Sequence, residues 1–269
     1  MIHSLTLVTP IIVLFRHIIV IIAMLFYCNS AYANNSTYIT LSNQIARKTQ
    51  LAIVANNVAN ANTTGYEADN VLFKNIDTKQ STKRSNSFVY TEGAYKNGNR
   101  GTLQTTNRPM DLAIAGEGYF KILTVQGDRY TLNGGLFINS EYILVNATGL
   151  PFASRDGQPI LIPVDTQDIR VAADGSIYAD EDIIGIIGVF SISDINQLIK
   201  EGNNLYSSKV RDVVLDDFTI ISGALRSSNV SSTKAMTEMV ELQRSLGATN
   251  NLMSGIADLE RSVITKVAK

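Results

Sequence analysis

Two segments with helical spacing of apolar residues lie near opposite ends of this 269-residue chain. In residues 38–66, apolar side chains recur at steps of mostly three and four, and Leu41, Ile45 and Val58 belong to this series. Residues 232–269 show the same spacing, which is typical of an amphipathic helix. Because the steps mix threes and fours, the two helices can pair as a coiled-coil-like unit. The apolar series of the second segment includes Met239, Leu242, Leu246, Ile256, Leu259 and Val263.

The sequence between these segments has a different pattern. From residue 101 to 220, short β-branched and aromatic runs are separated by turn residues roughly every 8 to 12 positions, which predicts an all-β domain. Glycine-containing turns such as Gly116-Glu117-Gly118 and Gly134-Gly135 divide the runs. The predicted strands cover residues 111–115, 119–124, 130–132, 136–138, 143–146, 160–162, 169–172, 177–178 and 183–192.

These patterns predict a mainly β protein with terminal α-helices. The expected regions are a signal-like N-terminal extension over 1–33, an N-terminal helix over 34–66, a linker over 67–100, a central β domain over 101–220 and a C-terminal helix over 221–269. Each terminal helix would present an apolar stripe that the β domain need not cover. Such stripes favour association with neighbouring molecules.

The first 33 residues have the order of a secretory signal peptide. An apolar run over 18–28 follows Arg16 and precedes Ala31-Tyr32-Ala33, which predicts cleavage after Ala33. A membrane anchor is the alternative, although Arg16 and His17 interrupt the apolar stretch that begins at Ile11. A third interpretation is an upstream extension that the working protein does not use. We expect the working subunit to begin near Asn34.

The distribution of reactive side chains excludes several classes of site. Cys28, His3 and His17 are the only cysteine and histidines, so none remains beyond residue 33. Zinc sites built from imidazole or thiolate, Ser-His-Asp triads and disulfides all need these groups. The formal net charge of -1 argues against a nucleic-acid partner, because duplex binding needs a clustered basic face. We therefore expect no cofactor, no metal and no small-molecule substrate.

A carboxylate-based enzyme is the main alternative of another class. Asp111, Glu117 and Asp128 would be its best candidates, since they lie near the glycine-rich turns. Local hydrogen bonding in turns explains Asp128 more simply. The segment from Gly116 to Lys121 also lacks the third glycine and the following helix of a dinucleotide-binding fingerprint. The expectation is that the protein is not an enzyme.

Residues 55–66 read Ala-Asn-Asn-Val-Ala-Asn-Ala-Asn-Thr-Thr-Gly-Tyr, and this segment resembles the signature of bacterial flagellar rod proteins nearly position for position. Residues 88–120, 130–134 and 223–244 extend the resemblance in the family's order, so that it covers roughly residues 36 to 269. Two positions depart from the family pattern. Leu132 stands where the family usually has Arg, and Arg226 where it usually has Glu, which puts any ion pair at that point in doubt.

The resemblance implies a structural role in the flagellar basal body, spanning the periplasm. Both terminal helices would form the inner tube of the rod, with copies of the chain and other rod proteins as neighbours and the flagellar type III export apparatus as exporter. Such proteins ordinarily lack a cleaved signal peptide, so the first 33 residues depart from the family. The expected assembly interface comprises Leu41, Ile45, Asn56, Asn57, Val58, Asn60, Met239, Leu242, Leu246, Ile256, Leu259 and Val263.

The compact β domain and the short region before it favour the proximal-rod type of subunit over the distal-rod type. A secreted β-rich binding module is a further alternative. Such a module would not need helices at both ends, so deletion of residues 232–269 separates the two possibilities. A module would keep binding, whereas a rod subunit would lose assembly.

Overall fold

A computed structural model describes residues 38–81, 84–96 and 98–267. The signal-like segment 1–33 and its predicted cleavage lie outside the described residues. Helix α1 is helical from residue 38 to residue 59, and helix α2 covers Ser232–Val267. A helix near each end of the chain is therefore confirmed, although α1 ends at residue 59 and not at 66, and α2 begins at Ser232 and not at 221. Neither of these helices, nor any other in the described ranges, is long and apolar enough to cross a membrane.

The strands contain more of the described residues than the two helices do, which confirms the mainly β class. In chain order they are β1 (Asn70–Ser81), β2 (Arg84–Tyr95), β3 (Leu103–Thr105), β4 (Asp111–Ala115), β5 (Tyr119–Ile122), β6 (Arg129–Thr131), β7 (Gly134–Gly135), β8 (Phe137–Ile138), β9 (Leu144–Val145), β10 (Ile169–Val171), β11 (Ser176–Ala179), β12 (Asp182–Ile186), β13 (Val189–Ser191), β14 (Leu198–Gly202), β15 (Leu205–Ser208), β16 (Val213–Val214), β17 (Thr219–Ser222) and β18 (Ala224–Arg226).

The chain divides into two compact units. One, called here the β unit, contains Ala52–Val71 and Ala94–Val240. The other, the helical unit, contains the described parts of Met1–Leu51, Leu72–Gly93 and Glu241–Lys269. The inner ends of both helices thus belong to the β unit.

The core of the β unit is formed by small antiparallel sheets. A six-stranded sheet has the order β14-β15-β6-β5-β13-β16, and three-stranded sheets have the orders β17-β4-β7 and β10-β11-β12. Phe120 and Phe152 are fully buried and pack edge to face, with ring centroids 5.9 Å apart. A second buried cluster is rich in tyrosine and comprises Tyr119, Tyr130, Leu132, Phe190, Ile192, Leu198 and Tyr206.

A glycine lies in the turn that follows α1. Residues 60–64 form turns after the helix, and Gly65 has a φ of 71°. A Cβ at this position would lie 2.7 Å from the backbone nitrogen of Asn133 and from the backbone carbonyl carbon of Leu132. Only glycine combines this positive φ with so close an approach. Gly65 therefore allows the tight turn that follows α1, which itself ends at residue 59.

Several strands differ from the sequence prediction. Strand β4 has the predicted bounds, but residues 183–192 form two strands, β12 and β13, which belong to different sheets. Gly188 lies at this division, where a Cβ would be 2.8 Å from the carbonyl oxygen of Ser154. The prediction of one strand over 183–192 is wrong, because the chain changes sheets at this close approach. Residues 160–162 contribute only an isolated bridge, between Ile143 and Leu161.

The helical unit contains the outer parts of both helices and most of the β1–β2 hairpin. Both strands of the hairpin lie in the region 67–100, for which the sequence predicts only a linker. Lys74 and Glu92 form an ion pair across the hairpin at 3.0 Å. In the same unit, the side-chain amide of Gln44 on α1 donates a hydrogen bond to the side-chain oxygen of Asn250 on α2. The coiled-coil pairing of the helices stays a prediction.

Candidate assembly surfaces

Helix α2 has a covered face and an open apolar row. Leu242 is buried, and Met239, Leu246 and Met253 are half-buried. Since a helix advances by about 100° per residue, these four side chains share one face. A second set of large apolar side chains lies roughly a quarter of a turn away and is exposed. This open row of α2 comprises Leu252, Ile256, Leu259, Val263 and Val267.

The structure thus divides the single interface predicted on α2 into two parts. Met239, Leu242 and Leu246 lie on the covered face, whereas Ile256 and Leu259 belong to the open row together with Val263. Leu259 is 67 % exposed to solvent in the single chain. The side of the helix opposite the open row is polar and exposed, with Ser254, Asp258, Arg261 and Thr265.

Helix α1 repeats this arrangement. Tyr38, Leu41 and Ile45 follow one another at steps of three and four and are exposed, forming the open row of α1. Ala46 and Asn57 are buried on a face about a third of a turn away. Of the other predicted interface residues on or just after α1, Val58 and Asn60 are half-buried, and Asn56 is exposed. Contiguous exposed apolar surface is common at interaction sites, so both rows are candidates for contacts with other molecules.

The Asn-rich motif at the end of α1 forms a hydrogen-bonded turn. The Tyr66 hydroxyl donates to the side-chain oxygens of Asn56 at 2.8 Å and Asn57 at 3.0 Å. Asn57 also pairs with the backbone of Asp69, donating to its carbonyl at 2.8 Å and accepting from its N–H at 3.2 Å. Asn60 donates to the carbonyl of Asn56 at 2.9 Å. The motif therefore fixes the path of the chain as it leaves the helix.

The segment before α2 contacts the same stretch of chain. Asn229 accepts from the N–H of Ala68 at 2.7 Å and donates to the carbonyl of Asn99 at 2.6 Å. The N–H of Gly65 donates to the carbonyl of Arg226 at 2.7 Å. The chain just after α1 and the chain just before α2 are thus joined by a backbone hydrogen bond and by the Asn229 side chain.

Arg226, the departure from the family pattern, is buried and binds backbone rather than a carboxylate. Its guanidinium donates to the carbonyl of Gly101 at 2.8 Å and to that of Ile114. Burial, with the nearby charge of Arg100, lowers the pKa of Arg226 below its ordinary value. The other departure, Leu132, also borders Gly65. Both unusual positions therefore lie next to Gly65, in the turn that follows α1.

A buried carboxylate completes this region. Glu67 is 3 % exposed and accepts a hydrogen bond from the Tyr119 hydroxyl at 3.0 Å. Its backbone N–H donates to the Tyr206 hydroxyl at 3.4 Å, and its carbonyl accepts from the Lys200 ammonium at 2.7 Å. Lys200 also pairs with Asp69 at 2.7 Å. Burial raises the pKa of both tyrosines well above the ordinary value and lowers that of Lys200.

The sequence pattern alone does not identify Glu67 or Asn229 as functional residues. Asn229 stands within the stretch 223–244 that carries the family resemblance, so its position was marked, although its role was not. Tyr119 and Tyr206 lie 52 and 139 positions from Glu67 in the chain. No periodicity in the sequence connects residues so far apart.

The carboxylates proposed for an enzyme are engaged or separated. Asp111 pairs with Arg108 at 3.3 Å, and Asp128 pairs with Lys121 at 3.2 Å. Glu117 is exposed at the edge of a cavity of about 280 Å³ that Glu67 also lines. In the described parts of the chain, no group of three or more metal-ligating side chains is placed to hold an ion. The ion pairs give Asp111 and Asp128 structural roles.

Comparison with protein families places three segments of the chain in flagellar axial proteins. Residues 38–66 match the family described as flagella basal body rod protein. Residues 113–179 match the D1 domain of flagellar hook protein FlgE/F/G, and residues 221–265 match the C-terminal region of flagellar basal body rod FlgEFG proteins. The matches thus include α1, much of the β unit and most of α2.

Whole-chain relatives extend this result. The flagellar basal-body rod protein FlgF of Caulobacter vibrioides is 32% identical over 242 residues, which cover 88% of this chain and 99% of the relative. FlgF of Mesorhizobium japonicum is 31% identical, with 81% of this chain and 92% of the relative covered. FlgG of Bacillus subtilis is 30% identical, with 81% and 94% covered. The chain belongs to the flagellar basal-body rod protein family.

Proposed function

We propose that this protein is a structural subunit of the flagellar rod, of the proximal-rod type, which assembles through the open rows of α1 and α2. Its family is a class of structural basal-body components and not a class of enzymes. The observation that carries the proposal is the apolar row that each helix leaves exposed in the single chain. Copies of the chain and other rod proteins are the partners that would cover these rows in the basal body.

The energetics of the open rows favour such an assembly. Complete burial of one large aliphatic side chain stabilises by about 1.5 to 3 kcal/mol relative to exposure. The open row of α2 contains five such side chains at helical spacing, so a partner helix gains contacts along several turns. An interface between different surfaces of identical chains propagates as a helix when it does not close into a ring. A tube of subunits is the expected product.

The choice of the proximal rod has separate support. FlgF relatives from two organisms are 31% and 32% identical, and an FlgG relative is 30% identical. The compact β domain agrees with the proximal type, and a distal-rod subunit is the alternative. Complementation distinguishes the two types of subunit. Expression of this chain should restore motility to a bacterial strain that lacks FlgF, and it should not restore motility to a strain that lacks FlgG. Export through the flagellar type III apparatus is part of the same proposal.

The sharpest test replaces one side chain of the open row of α2. Leu259→Asp leaves the carboxylate hydrated in the single chain but forces its burial in an assembled tube. An unpaired buried charge costs several kcal/mol, so incorporation should fall by at least about a hundredfold. The measurement is the amount of the variant in purified basal bodies, together with motility. Leu242→Asp is less informative, because Leu242 is already buried within the subunit.

Ser254→Asp is the matched control, since it adds the same charge to the polar side of the same helix. Normal rods and normal motility with Leu259→Asp would overturn the assignment of this interface. Val58→Asp at the inner end of α1 is expected to impair incorporation too, while the β unit stays folded.

A further inference from the structure

The inner ends of both helices are fastened to one short segment, residues 64–69. From the side of α1, the carboxamide of Asn57 makes two hydrogen bonds to the backbone of Asp69. From the side of α2, the carboxamide of Asn229 accepts from the N–H of Ala68. Two asparagines from regions far apart in sequence thus hold neighbouring residues of the same segment.

The segment is also anchored to the β strands. The Asn204 side chain, in the turn between β14 and β15, donates to the carbonyl of Thr64. Glu67 accepts from Tyr119 of β5, and Lys200 of β14 reaches both the carbonyl of Glu67 and the carboxylate of Asp69. The Lys200 ammonium lies 4.0 Å from the centre of the Tyr66 ring, within the range of a cation–π contact. These partners lie within the β unit.

These bonds are directional, unlike the contacts of the apolar core. Tyr66 and Glu67 are buried, so their polar groups need the partners that the segment supplies. A hydrogen bond constrains both distance and angle, whereas apolar packing tolerates rearrangement more easily. The arrangement therefore fixes the path of the chain out of α1 and into α2 relative to the strands of this unit.

We propose that residues 64–69, with Asn57 and Asn229, form a positioning joint that sets the attachment of both helices for assembly. The joint itself is buried or half-buried and need not touch a neighbouring subunit. Its loss would leave the β sheets folded while the helix bases lose their defined attachment. The inference rests on the proposed function as a rod subunit, and it assigns a role in assembly to residues outside the open rows.

The test compares Asn57→Ala, Asn229→Ala and their combination in the full chain. Removing a hydrogen bond worth about 1 kcal/mol should speed amide exchange several-fold to tenfold, at Asp69 for the first variant and at Ala68 for the second. Incorporation into basal bodies should fall at least about tenfold for the double variant, because both attachments are then lost. Each side-chain hydrogen bond removed contributes about 1 kcal/mol, so the melting temperature of the β unit should fall by about 2 to 4 °C per bond, and the unit should stay folded at the temperature of the incorporation assay.

Two further variants separate positioning from folding. Asn229→Asp retains an acceptor for the N–H of Ala68 but loses the donor to Asn99, so it should protect the Ala68 amide and incorporate better than Asn229→Ala. Asn62→Ala changes an exposed asparagine of the same motif and should behave as the unmodified protein. Full incorporation of the double variant would overturn the joint, as would loss of β-unit folding in proportion to loss of incorporation.

The proposal of the joint can fail independently of the proposed function. Normal incorporation of the double variant, with failure of Leu259→Asp to incorporate, would reject the joint and retain the rod assignment. Absence of the unmodified chain from purified basal bodies would reject the rod assignment itself. In that case the amide exchange at Ala68 and Asp69 would still show whether the two asparagines hold the segment.

Discussion

The core of the β unit and the outer part of α2 contain similar apolar residues in opposite environments. Phe120, Phe152 and Ile177 are fully buried, and each contacts a core built by strands distant in sequence. In contrast, Leu252 and Leu259 on α2 are each 67 % exposed to solvent. The β unit thus buries these apolar residues within one chain, whereas the outer helix leaves part of its apolar surface exposed, which the proposed assembly would cover.

This contrast follows from the different geometry of sheets and helices. Small sheets bury their inner faces against one another, so a single chain can close a β core. A long helix has side chains around its whole circumference and one neighbouring element covers only part of it. Leu242 on the covered face and Leu259 on the open row illustrate the two cases within α2. A tube built from such helices would cover the second face of each.

The largest expected effect is the loss of unfolding free energy when a large side chain is shortened to Ala in each region. Phe120→Ala should lower the free energy of unfolding of the monomer by about 3 to 5 kcal/mol, because it removes a fully buried ring and leaves a cavity. Leu259→Ala should change it by less than about 0.5 kcal/mol, since the side chain is mostly hydrated. Urea unfolding of the two variants, followed by circular dichroism, measures the difference. Equal losses would show that the open row is covered in the monomer.

A smaller effect is expected in local stability. Backbone amides of α2 from residue 252 to residue 267 should exchange at least about a hundredfold faster in the monomer than those of β4 and β5, because fewer apolar contacts oppose local opening. Assembly should slow their exchange. Hydrogen exchange followed by mass spectrometry makes the comparison. Strong protection throughout residues 38–66 and 236–267 of the isolated chain would contradict the dependence of the helices on partners.

The sequence was most informative where structure depends on local pattern. Three- and four-residue spacing located both helices, and the alternation of strand runs with glycine turns located β4 with its correct bounds. It did not predict β1 and β2, because their sequence mixes Asn, Lys, Thr and Ser with few apolar residues in alternation. It also missed the division of residues 183–192, which depends on the approach of Ser154 to Gly188.

The candidate site shows the same limit. The apolar positions of α1 and α2 could be named from spacing alone, but spacing could not separate the covered face from the open row. That separation depends on which other elements lie beside each helix. The joint around Glu67 depends on side chains more than 50 positions apart, such as Tyr119, so only the fold brings it together. The family resemblance marked Asn57 without revealing that its partner is the backbone of Asp69.

The smallest expected effect concerns pH and the buried tyrosines of the β unit. Burial, reinforced by the charge of Glu67, raises the pKa of Tyr206 in the folded protein, whereas an unfolded tyrosine ionises near about 10. The folded state therefore binds more protons than the unfolded state above that pH. The contribution of Tyr206 to the free energy of unfolding should therefore fall as pH rises, by up to about 1.4 kcal/mol for each pH unit above 10. Urea unfolding at pH 9 and pH 10.5 measures the change.

Tyr206→Phe isolates this contribution from the groups that surround the hydroxyl. Tyr119, Glu67, Asp69 and Lys96 all lie near Tyr206, and Lys200 is close to the same segment. The depressed pKa of Lys200 acts in the opposite direction, because the folded state releases that proton before the unfolded chain does. The variant retains this opposing effect and loses the tyrosine's own. Its unfolding free energy should therefore fall less between pH 9 and pH 10.5, and an identical fall in both proteins would show that Tyr206 ionises normally in the folded state.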